Sequence, residues 1–267
     1  ITDTVKQLRA WRKSGFFLCN KLAFINLYTY IKEKDVMIKT PNHHTDDIFK
    51  EKRKLKNPIK FGITLNEEQK VAKAYVLNNP ITAIKGKAGS GKTLLAIQTG
   101  LDLLFNKQVE KVIIARPYVT AGEDLGFLPG GVDEKLSYLT APMYNIMHDL
   151  IGNVKTEKLV AEGKIIVSPF GFLRGNTFSN SCIIIDEAQN ATMRQTELMI
   201  GRLGRNSKMI FCGDMSQCDL RNKRESGFDF FQKLELQVEG VKVFPLLQNH
   251  RHTIVDPVLD VYLTYRD

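Results

Sequence analysis

From residue 61 onward, short apolar runs rich in β-branched residues alternate with longer stretches in which apolar residues recur every three or four positions. The short runs predict strands and the longer stretches predict helices, one beginning after Lys92 and another containing Ile254, Val258 and Val261. This alternation is typical of an α/β fold in which helices cover both faces of a parallel sheet and ligands bind beyond the carboxyl ends of the strands. The predicted strands are residues 82–85, 112–115, 165–168, 182–186, 209–212 and 242–244.

The first 60 residues have a different character. Residues 16–31 are largely apolar, but polar residues interrupt them, so they fall short of the roughly 20 apolar residues of a membrane span. No small-residue cleavage site of a signal peptide follows them. The rest of this segment is polar and basic. We therefore predict an N-terminal extension and basic linker over residues 1–60, a single domain over residues 61–267, and no membrane partner.

The net charge and the cysteines indicate which partners to expect and whether the thiols are reduced. The chain has 43% hydrophobic residues, enough for a sizeable core, and a formal net charge of +9. A positive charge favours polyanionic partners such as nucleic acid, an anionic membrane or nucleotide phosphates. None of the four cysteines has CxxC spacing. This pattern predicts reduced thiols in a cytoplasmic protein, with Cys182 and Cys212 as small core residues of two strands.

The segment GKAGSGKT, residues 86–93, fits the phosphate-binding pattern G-x-x-x-x-G-K-[ST] and lies between a predicted strand and a predicted helix. Its glycines let the backbone turn so that N–H groups face phosphate oxygens, and the helix adds its positive end. We expect Lys92 to reach the β- and γ-phosphates and the Thr93 hydroxyl to bind Mg²⁺. The alternative is a plain glycine turn. The predicted nucleotide contacts are Gly86, Lys87, Ala88, Gly89, Ser90, Gly91, Lys92, Thr93 and Leu94.

A second segment, CIIIDEAQN, places two carboxylates at the end of a predicted buried strand. Adjacent charges are costly there unless a cation compensates them, and a magnesium-bound nucleotide supplies one. We expect Asp186 to hold Mg²⁺, partly through water, and Glu187 to orient or deprotonate the attacking water. The alternative is a helix N-terminus at which acidic residues are favourable.

Two glutamines are candidates for contacts with the γ-phosphate and the adenine of the nucleotide. Gln217 follows the predicted strand of MIFCGDMSQCDL. Its amide can bond both a γ-phosphate oxygen and a water, so we predict that it senses the terminal phosphate. Gln69 lies on a predicted helix before the glycine-rich loop, where a side-chain amide can pair with the N6/N7 edge of adenine. Without the other segments, Gln69 would be an ordinary surface glutamine, and the segment that contains Gln217 would be a strand that ends in a turn.

Taken in order, these segments resemble the nucleotide site of superfamily-1 helicases and, more specifically, the PhoH-like family of P-loop ATPases found in bacteria and bacteriophages. The resemblance is carried by GKAGSGKT and by residues 115–135, 170–192 and 201–220, and spans residues 62–265. It implies a RecA-like fold, ATP hydrolysis, a link to RNA or single-stranded nucleic acid, and hexameric rings. Some relatives carry a nuclease-type PIN domain in front. Residues 1–60 are too short for one, so we expect no nuclease activity.

Phosphoryl transfer benefits from an arginine that stabilises developing charge. We favour Arg251, because the superfamily-1 pattern also places an arginine after the last strand. We expect Arg116 to contact nucleic acid or to hold the site together, and Arg205 to reach the nucleotide of a neighbouring subunit. The candidate arginines are Arg116, Arg174, Arg202, Arg205 and Arg251.

The chain has one P-loop and about one domain of core, whereas superfamily-1 helicases close two such domains around one ATP. We therefore expect a homo-oligomeric ring of six subunits. Nucleic-acid contacts are expected from Phe127, from Phe172 with Arg174, and from the basic run at residues 221–224. The alternative for the aromatic residues is core packing. The competing functions are an ATP-switched nucleic-acid scaffold that does not unwind, and a small-molecule phosphotransferase.

Overall fold

The computed structural model describes residues 61–117, 132–173 and 175–265. The predicted extension and linker over residues 1–60 lie outside the described residues, so the proposed domain boundary stays a prediction. Within the described residues, no helix is long and apolar enough to cross a membrane.

All six predicted strands are present, and their ends agree with the prediction within two residues. Asp186 lies directly after its strand and not at the strand's end as predicted, because regular pairing stops one residue earlier. The strands are β1 (Ile81–Gly86), β2 (Lys111–Arg116), β3 (Ile165–Pro169), β4 (Ser181–Ile185), β5 (Lys208–Gly213) and β6 (Val241–Leu246).

Helices follow the strands in the alternation that the sequence predicts. The helix expected after the glycine-rich loop begins at Lys92. The described helices are α1 (Glu67–Asn78), α2 (Lys92–Phe105), α3 (Val132–Ile151), α4 (Asn153–Ala161), α5 (Met193–Ile200), α6 (Phe231–Gln237) and α7 (Val255–Thr264).

The six strands form one sheet in the order β3-β2-β4-β5-β1-β6, and every pair of neighbours is parallel. All carboxyl ends therefore meet at one edge, the carboxyl edge. β5 lies between β1, which leads into the glycine-rich loop, and β4, which leads into Asp186. This order confirms the α/β, RecA-like fold, and it brings three distant segments of the chain together at the centre of that edge.

The sheet is covered on both faces, and alternate residues of its strands point to opposite sides. Cys182 and Ile184 belong to a core that includes residues of α1 to α4, whereas Ile183 and Ile185 belong to a second core with α5 and α6. Strands buried on both faces are continuous apolar runs in the sequence, and for this reason the sequence predicted all six. The predicted core thiols are confirmed: Cys182 and Cys212 are fully buried, and burial raises the pKa of Cys182 to about 12.

The last helix, α7, forms where the apolar spacing predicts it, although Ile254 precedes it. The apolar residues of α7 whose side chains the structure describes join neither core. The side chains of Val258, Val261 and Tyr262 are exposed, as is Leu247 in the chain that leads to the helix. Apolar spacing therefore predicted the helix but not its surroundings.

Candidate nucleotide-binding site

Three turns meet at the carboxyl edge of the sheet, one after each of the central strands β1, β5 and β4. The first is the P-loop, residues 86–91, between β1 and α2. The second begins at Asp214 after β5, and the third begins at Asp186 after β4. Because β5 pairs with both neighbours, these turns are held side by side by the strand ladders.

Glycine is required in the P-loop by backbone shape and by close packing. Gly89 and Gly91 have φ of 87° and 80°, in the left-handed region that other residues rarely adopt. At Gly86 an added Cβ would lie 2.6 Å from the Ser90 hydroxyl oxygen and 2.8 Å from the Leu246 carbonyl oxygen. The loop therefore turns tightly and leads directly into α2, whose positive end faces the loop's interior.

Lys92 directs its ammonium into the loop. Nζ donates hydrogen bonds to the carbonyl oxygens of Gly86, at 2.6 Å, and of Lys87, at 3.0 Å. A cation held at the mouth of an amide-lined turn is suited to an anion, and the geometry agrees with the predicted contact to the terminal phosphates of a nucleotide.

Thr93 and Asp186 meet across the width of β5. The Thr93 hydroxyl donates a hydrogen bond to Asp186 Oδ1 at 2.7 Å. A hydroxyl and a carboxylate at this distance present hard oxygen ligands of the kind that Mg²⁺ prefers, beside a loop shaped for phosphate. The two residues therefore fit the predicted metal position.

Asp186 is only 5% exposed. Burial raises the pKa of its carboxyl above the ordinary value, although the hydrogen bond from Thr93 acts in the opposite direction. The nearby charge of Glu187 also raises this pKa, and that of Arg116 lowers it. A bound cation would favour the ionised form of this carboxyl.

Glu187 occupies an unusual backbone position for a residue with a side chain, with φ 50° and ψ 41°. This left-handed conformation costs about 1 kcal/mol, so the surrounding contacts must maintain it. The Arg116 guanidinium lies 3.5 Å from Oε1 of Glu187, and the Gln189 amide donates to Oε2 at 2.6 Å. Of the two roles expected for Arg116, holding the site together agrees with this contact.

The turn after β5 is joined to the P-loop through Asp214, which the sequence analysis did not single out. The backbone amide of Ala88 donates to Asp214 Oδ2 at 3.1 Å, and the other carboxylate oxygen accepts from Ser216. The signal that identified Asp186, an acidic residue at the end of a buried strand, was also present at Asp214. Gln217 lies in the same turn with an exposed side chain, and its sensor role stays a prediction.

Gln69 lies in the first turn of α1, buried against the P-loop. Its Oε1 accepts from the Asn66 backbone amide at 3.1 Å, and its Nε2 donates to the Ser90 carbonyl at 3.3 Å. Within the described structure each amide atom has one hydrogen-bonding position left. The adenine contact therefore stays a prediction, with the glutamine in a suitable place.

The chain after β6 crosses the P-loop. The His250 backbone amide donates to the Gly89 carbonyl at 3.1 Å, and the stem of Arg251 packs so closely on Gly89 that an added Cβ would lie 2.6 Å from Arg251 Cγ. Lys87 also forms an ion pair with Asp260 of α7 at 3.2 Å. Arg251 is thus the candidate finger that the structure places beside the P-loop of its own chain.

Other candidates lie elsewhere. The Arg205 carbonyl accepts from the backbone amide of Asn180, which directly precedes β4, so Arg205 lies at the amino edge of the sheet, opposite the P-loop. Arg202 is nearby, bonded to Phe178 through the backbone. Three residues proposed for nucleic acid fall outside the description: Phe127 and Arg174 entirely, and Phe172 in its side chain.

Replacing Asp186 by Asn should raise the thermal stability of the nucleotide-free protein. The raised pKa means that the fold favours the protonated carboxyl, so the stabilising contribution of this group is lost as the pH rises through that pKa. Asn removes the buried charge and retains an oxygen to accept the Thr93 hydrogen bond. Calorimetric melting at pH 5 and pH 8 should show a larger gain at pH 8.

The exposed Asp149 provides a control for this variant. Asp149→Asn should leave the melting temperature unchanged at both pH values. A lower melting temperature for Asp186→Asn at pH 8 would show that the buried carboxylate stabilises the nucleotide-free fold, contrary to this account.

Comparison with known proteins identifies the family of the chain. The pattern of the PhoH-like protein family matches residues 63–263. A PhoH-like protein of Bacillus subtilis (strain 168) is 38% identical over 201 residues, which cover 74% of this chain and 62% of that protein. A PhoH-like protein of Synechocystis is 39% identical over 189 residues, covering 70% and 58%. The aligned part of the chain spans about three fifths of the length of these relatives.

Distant structural likenesses are found among helicases. The Pif1 helicase of Candida albicans matches with a TM-score of 0.41 and 18% identity, over 77% of this chain and 44% of that one. The UvsW helicase of bacteriophage T4 matches with a TM-score of 0.43 and 17% identity, over 68% and 60%. The family match covers most of the chain and all three turns of the site. The chain belongs to the PhoH-like family, and its fold is that of a P-loop protein.

Proposed function

We propose that the protein hydrolyses ATP with Mg²⁺ and couples hydrolysis to the binding of RNA or single-stranded nucleic acid, as a subunit of a homo-oligomeric ring. The observation that carries the proposal is the 2.7 Å contact between Thr93 and Asp186, with Glu187 directly beyond it. The P-loop, the proposed metal position and the carboxylate of Glu187, which Arg116 and Gln189 hold, thereby lie close together.

Each residue has a defined task in this proposal. The P-loop amides and Lys92 hold the phosphates, Thr93 and Asp186 hold the metal, and Gln69 contacts adenine. When bound, Mg²⁺ neutralises charge on the phosphate oxygens. Leu94 contributes through its position in the first turn of α2.

Glu187 is the proposed general base. Its side chain is 28% exposed, so a water can reach it, whereas the buried Asp186 is reserved for the metal. Glu187 accepts the proton of the attacking water, Gln217 senses the terminal phosphate, and Arg251 stabilises the charge that develops. Because the Glu187 side chain is open to solvent, hydrolysis is favoured over transfer of the phosphate to a metabolite, which would require a pocket for the acceptor.

Nucleic-acid binding is supported by the net charge of +9 and by the position of the basic run at residues 221–224. Its basic residues are exposed and belong to the connection that follows β5, so they lie at the same edge of the sheet as the P-loop. Phe127, Phe172 and Arg174 remain further candidates for contacts with bases and phosphates.

The ring is supported by two features of a single chain. The described domain has one sheet and one P-loop, so no second domain of the described part closes over the site. Arg205 lies at the amino edge, too far around the sheet to serve its own nucleotide, and is therefore suited to the nucleotide of a neighbour. The proposed ring has six subunits.

A second candidate is an ATP-switched nucleic-acid scaffold that does not unwind duplexes. The observation that favours it is the pair of contacts between the P-loop and the chain after β6, His250 with Gly89 and Lys87 with Asp260. These contacts allow a nucleotide to change the shape of the subunit. Strand-displacement assays with the ATPase-active protein distinguish the two functions.

Glu187→Gln should retain ATP binding and lose turnover. The substitution keeps the size of the side chain but removes the base, so kcat should fall by about 100-fold or more, whereas the affinity for ATP should be little changed. Lys92→Ala should abolish binding, because the phosphates lose their charged partner. Phosphate release and calorimetric titration with ATP, each with and without single-stranded RNA and DNA, provide the measurements.

Two outcomes would contradict different parts of this scheme. Normal hydrolysis by Glu187→Gln would show that another group takes the proton. Failure of the intact protein to bind ATP at millimolar concentration would overturn the proposal as a whole.

Removing two charges from the basic run should weaken binding to single-stranded nucleic acid and flatten its salt dependence. Each lost phosphate contact reduces the slope of log affinity against log salt by about 0.7, so Arg221→Gln with Arg224→Gln should reduce it by up to about 1.4. Fluorescence anisotropy with labelled single-stranded RNA and DNA measures the slope.

The matched control removes two positive charges at the other edge of the sheet, by Lys158→Gln with Lys164→Gln. Lys164 directly precedes β3, and both lysines pair with Glu162. The control should leave the slope unchanged. Equal slopes for the intact protein and the Arg221/Arg224 variant would remove the basic run from the nucleic-acid surface.

Light scattering coupled to size exclusion should show an oligomer, with six subunits in the presence of magnesium and a non-hydrolysable ATP analogue. The reason is that a neighbour must supply the surface that closes over the nucleotide. A monomer with full, nucleic-acid-stimulated ATPase activity would refute the ring.

A further inference from the structure

Gln189 is a fully buried polar residue at the centre of the site, and the sequence analysis gave it no role. Its amide nitrogen donates to Glu187 Oε2 at 2.6 Å and to the Gln217 carbonyl at 3.3 Å. Its amide oxygen accepts from the backbone N–H of Asp214 at 3.1 Å. Both amide hydrogens and the amide oxygen are thus engaged, and all three partners belong to the turns after β4 and β5.

The contact with Glu187 is the shorter of the two that hold this carboxylate among the described residues. Arg116 approaches Oε1 at 3.5 Å, and Gln189 donates to Oε2 at 2.6 Å. Each carboxylate oxygen therefore has its own partner, which fixes the orientation of the group. Glu187 requires such support, because its left-handed backbone is held against an intrinsic cost.

Gln189 also connects Glu187 to the P-loop by way of the turn after β5. The Asp214 backbone amide is bonded to Gln189, and the Asp214 carboxylate accepts from the P-loop amide of Ala88. The same glutamine is bonded to the carbonyl of Gln217, the proposed sensor. The Gln189 side-chain amide therefore holds Glu187, the proposed base, at a fixed distance from the turn that begins at Asp214.

The backbone of Gln189 is anchored independently of its side chain. Its carbonyl accepts from the Ser226 hydroxyl at 2.8 Å and from the Cys218 thiol at 3.3 Å, and both donors are buried. These two hydrogen bonds fix the main chain of Gln189, so its side chain starts from a fixed position when it bonds to Glu187.

We propose that Gln189 is a positioning residue for hydrolysis. Its amide holds the Glu187 carboxylate in the orientation from which it takes the proton of the attacking water, and it couples that orientation to the turn at Asp214 and Gln217. The inference rests on the proposed ATP hydrolysis. Gln189 acts through Glu187 and touches neither the nucleotide nor the water.

Gln189→Met is the first test, because Met fills a similar volume and can neither donate to Glu187 nor accept from Asp214. A misdirected catalytic group lowers turnover by about 10- to 100-fold. We expect this loss in kcat, with KM for ATP and the affinity for a non-hydrolysable analogue within about threefold of the intact protein. Gln189→Leu is a second uncharged variant without the amide, so it should show the same fall in kcat with little change in KM, and it replaces Gln189→Met if that variant does not fold.

Gln98 offers a matched control. It is a second buried glutamine, on α2, and its Oε1 has no hydrogen-bond partner within the described residues. Gln98→Met therefore removes a buried amide whose oxygen has no hydrogen bond to lose, and kcat should be unchanged. An equal loss of kcat in this control would mean that the measurement reports general damage to the core.

A double-variant cycle separates positioning from structural damage. In a Glu187→Gln background, Gln189→Met should cause no further loss of the residual turnover, because both act in the same step. Multiplicative losses would contradict the proposal, as would a folded Gln189→Met protein with normal kcat. If the intact protein shows no ATP hydrolysis, the proposed function fails, and that outcome is distinct from failure of this inference.

Discussion

The hydrogen bond between Thr93 and Asp186 is the constraint on which the site depends. It joins the first turn of α2 to the end of β4 across the full width of β5. The parallel register makes this contact possible: Ile185 at the end of β4 pairs with Phe211 of β5, and Gly213 at the end of β5 pairs with Lys85 of β1. The strand ladders thus do more than build a core, because they determine which polar groups can meet at the carboxyl edge of the sheet.

Two glycines near the site, Gly213 at the end of β5 and Gly100 in α2, lie close to neighbouring side chains. An added Cβ at Gly213 would lie 2.7 to 2.9 Å from atoms of the Phe228 ring, which is itself fully buried. At Gly100 an added Cβ would lie 3.1 Å from Val112 and 3.2 Å from Ile184. Glycine at these two places lets the turn after β5 and the helix after the P-loop approach their neighbours closely. The geometry of the site is therefore set by packing on both faces of the sheet.

Most of the fold follows from local patterns in the sequence. Buried parallel strands are continuous apolar runs, so they can be recognised in the sequence. The P-loop can be recognised as well, because glycine, lysine and threonine are each needed at fixed spacings. The contacts of Gln189 and Asp214 could not be predicted in the same way. Gln189 is bonded to Asp214 across 25 positions of sequence, and Ala88 to Asp214 across 126, so they depend on which strands are neighbours in the sheet. Apolar spacing likewise predicted α7 without showing that Val258, Val261 and Tyr262 stay exposed, because spacing describes a helix and not what surrounds it.

The chain beyond β6 is tied to the P-loop at Gly89 and again at Lys87. Lys87 and the peptide of Gly89 belong to the loop in which the proposed nucleotide would bind, so a bound phosphate would meet the same groups that hold this part of the chain. Since α7 exposes the side chains of Val258, Val261 and Tyr262, the helix that pairs with the P-loop through Asp260 also carries exposed apolar surface.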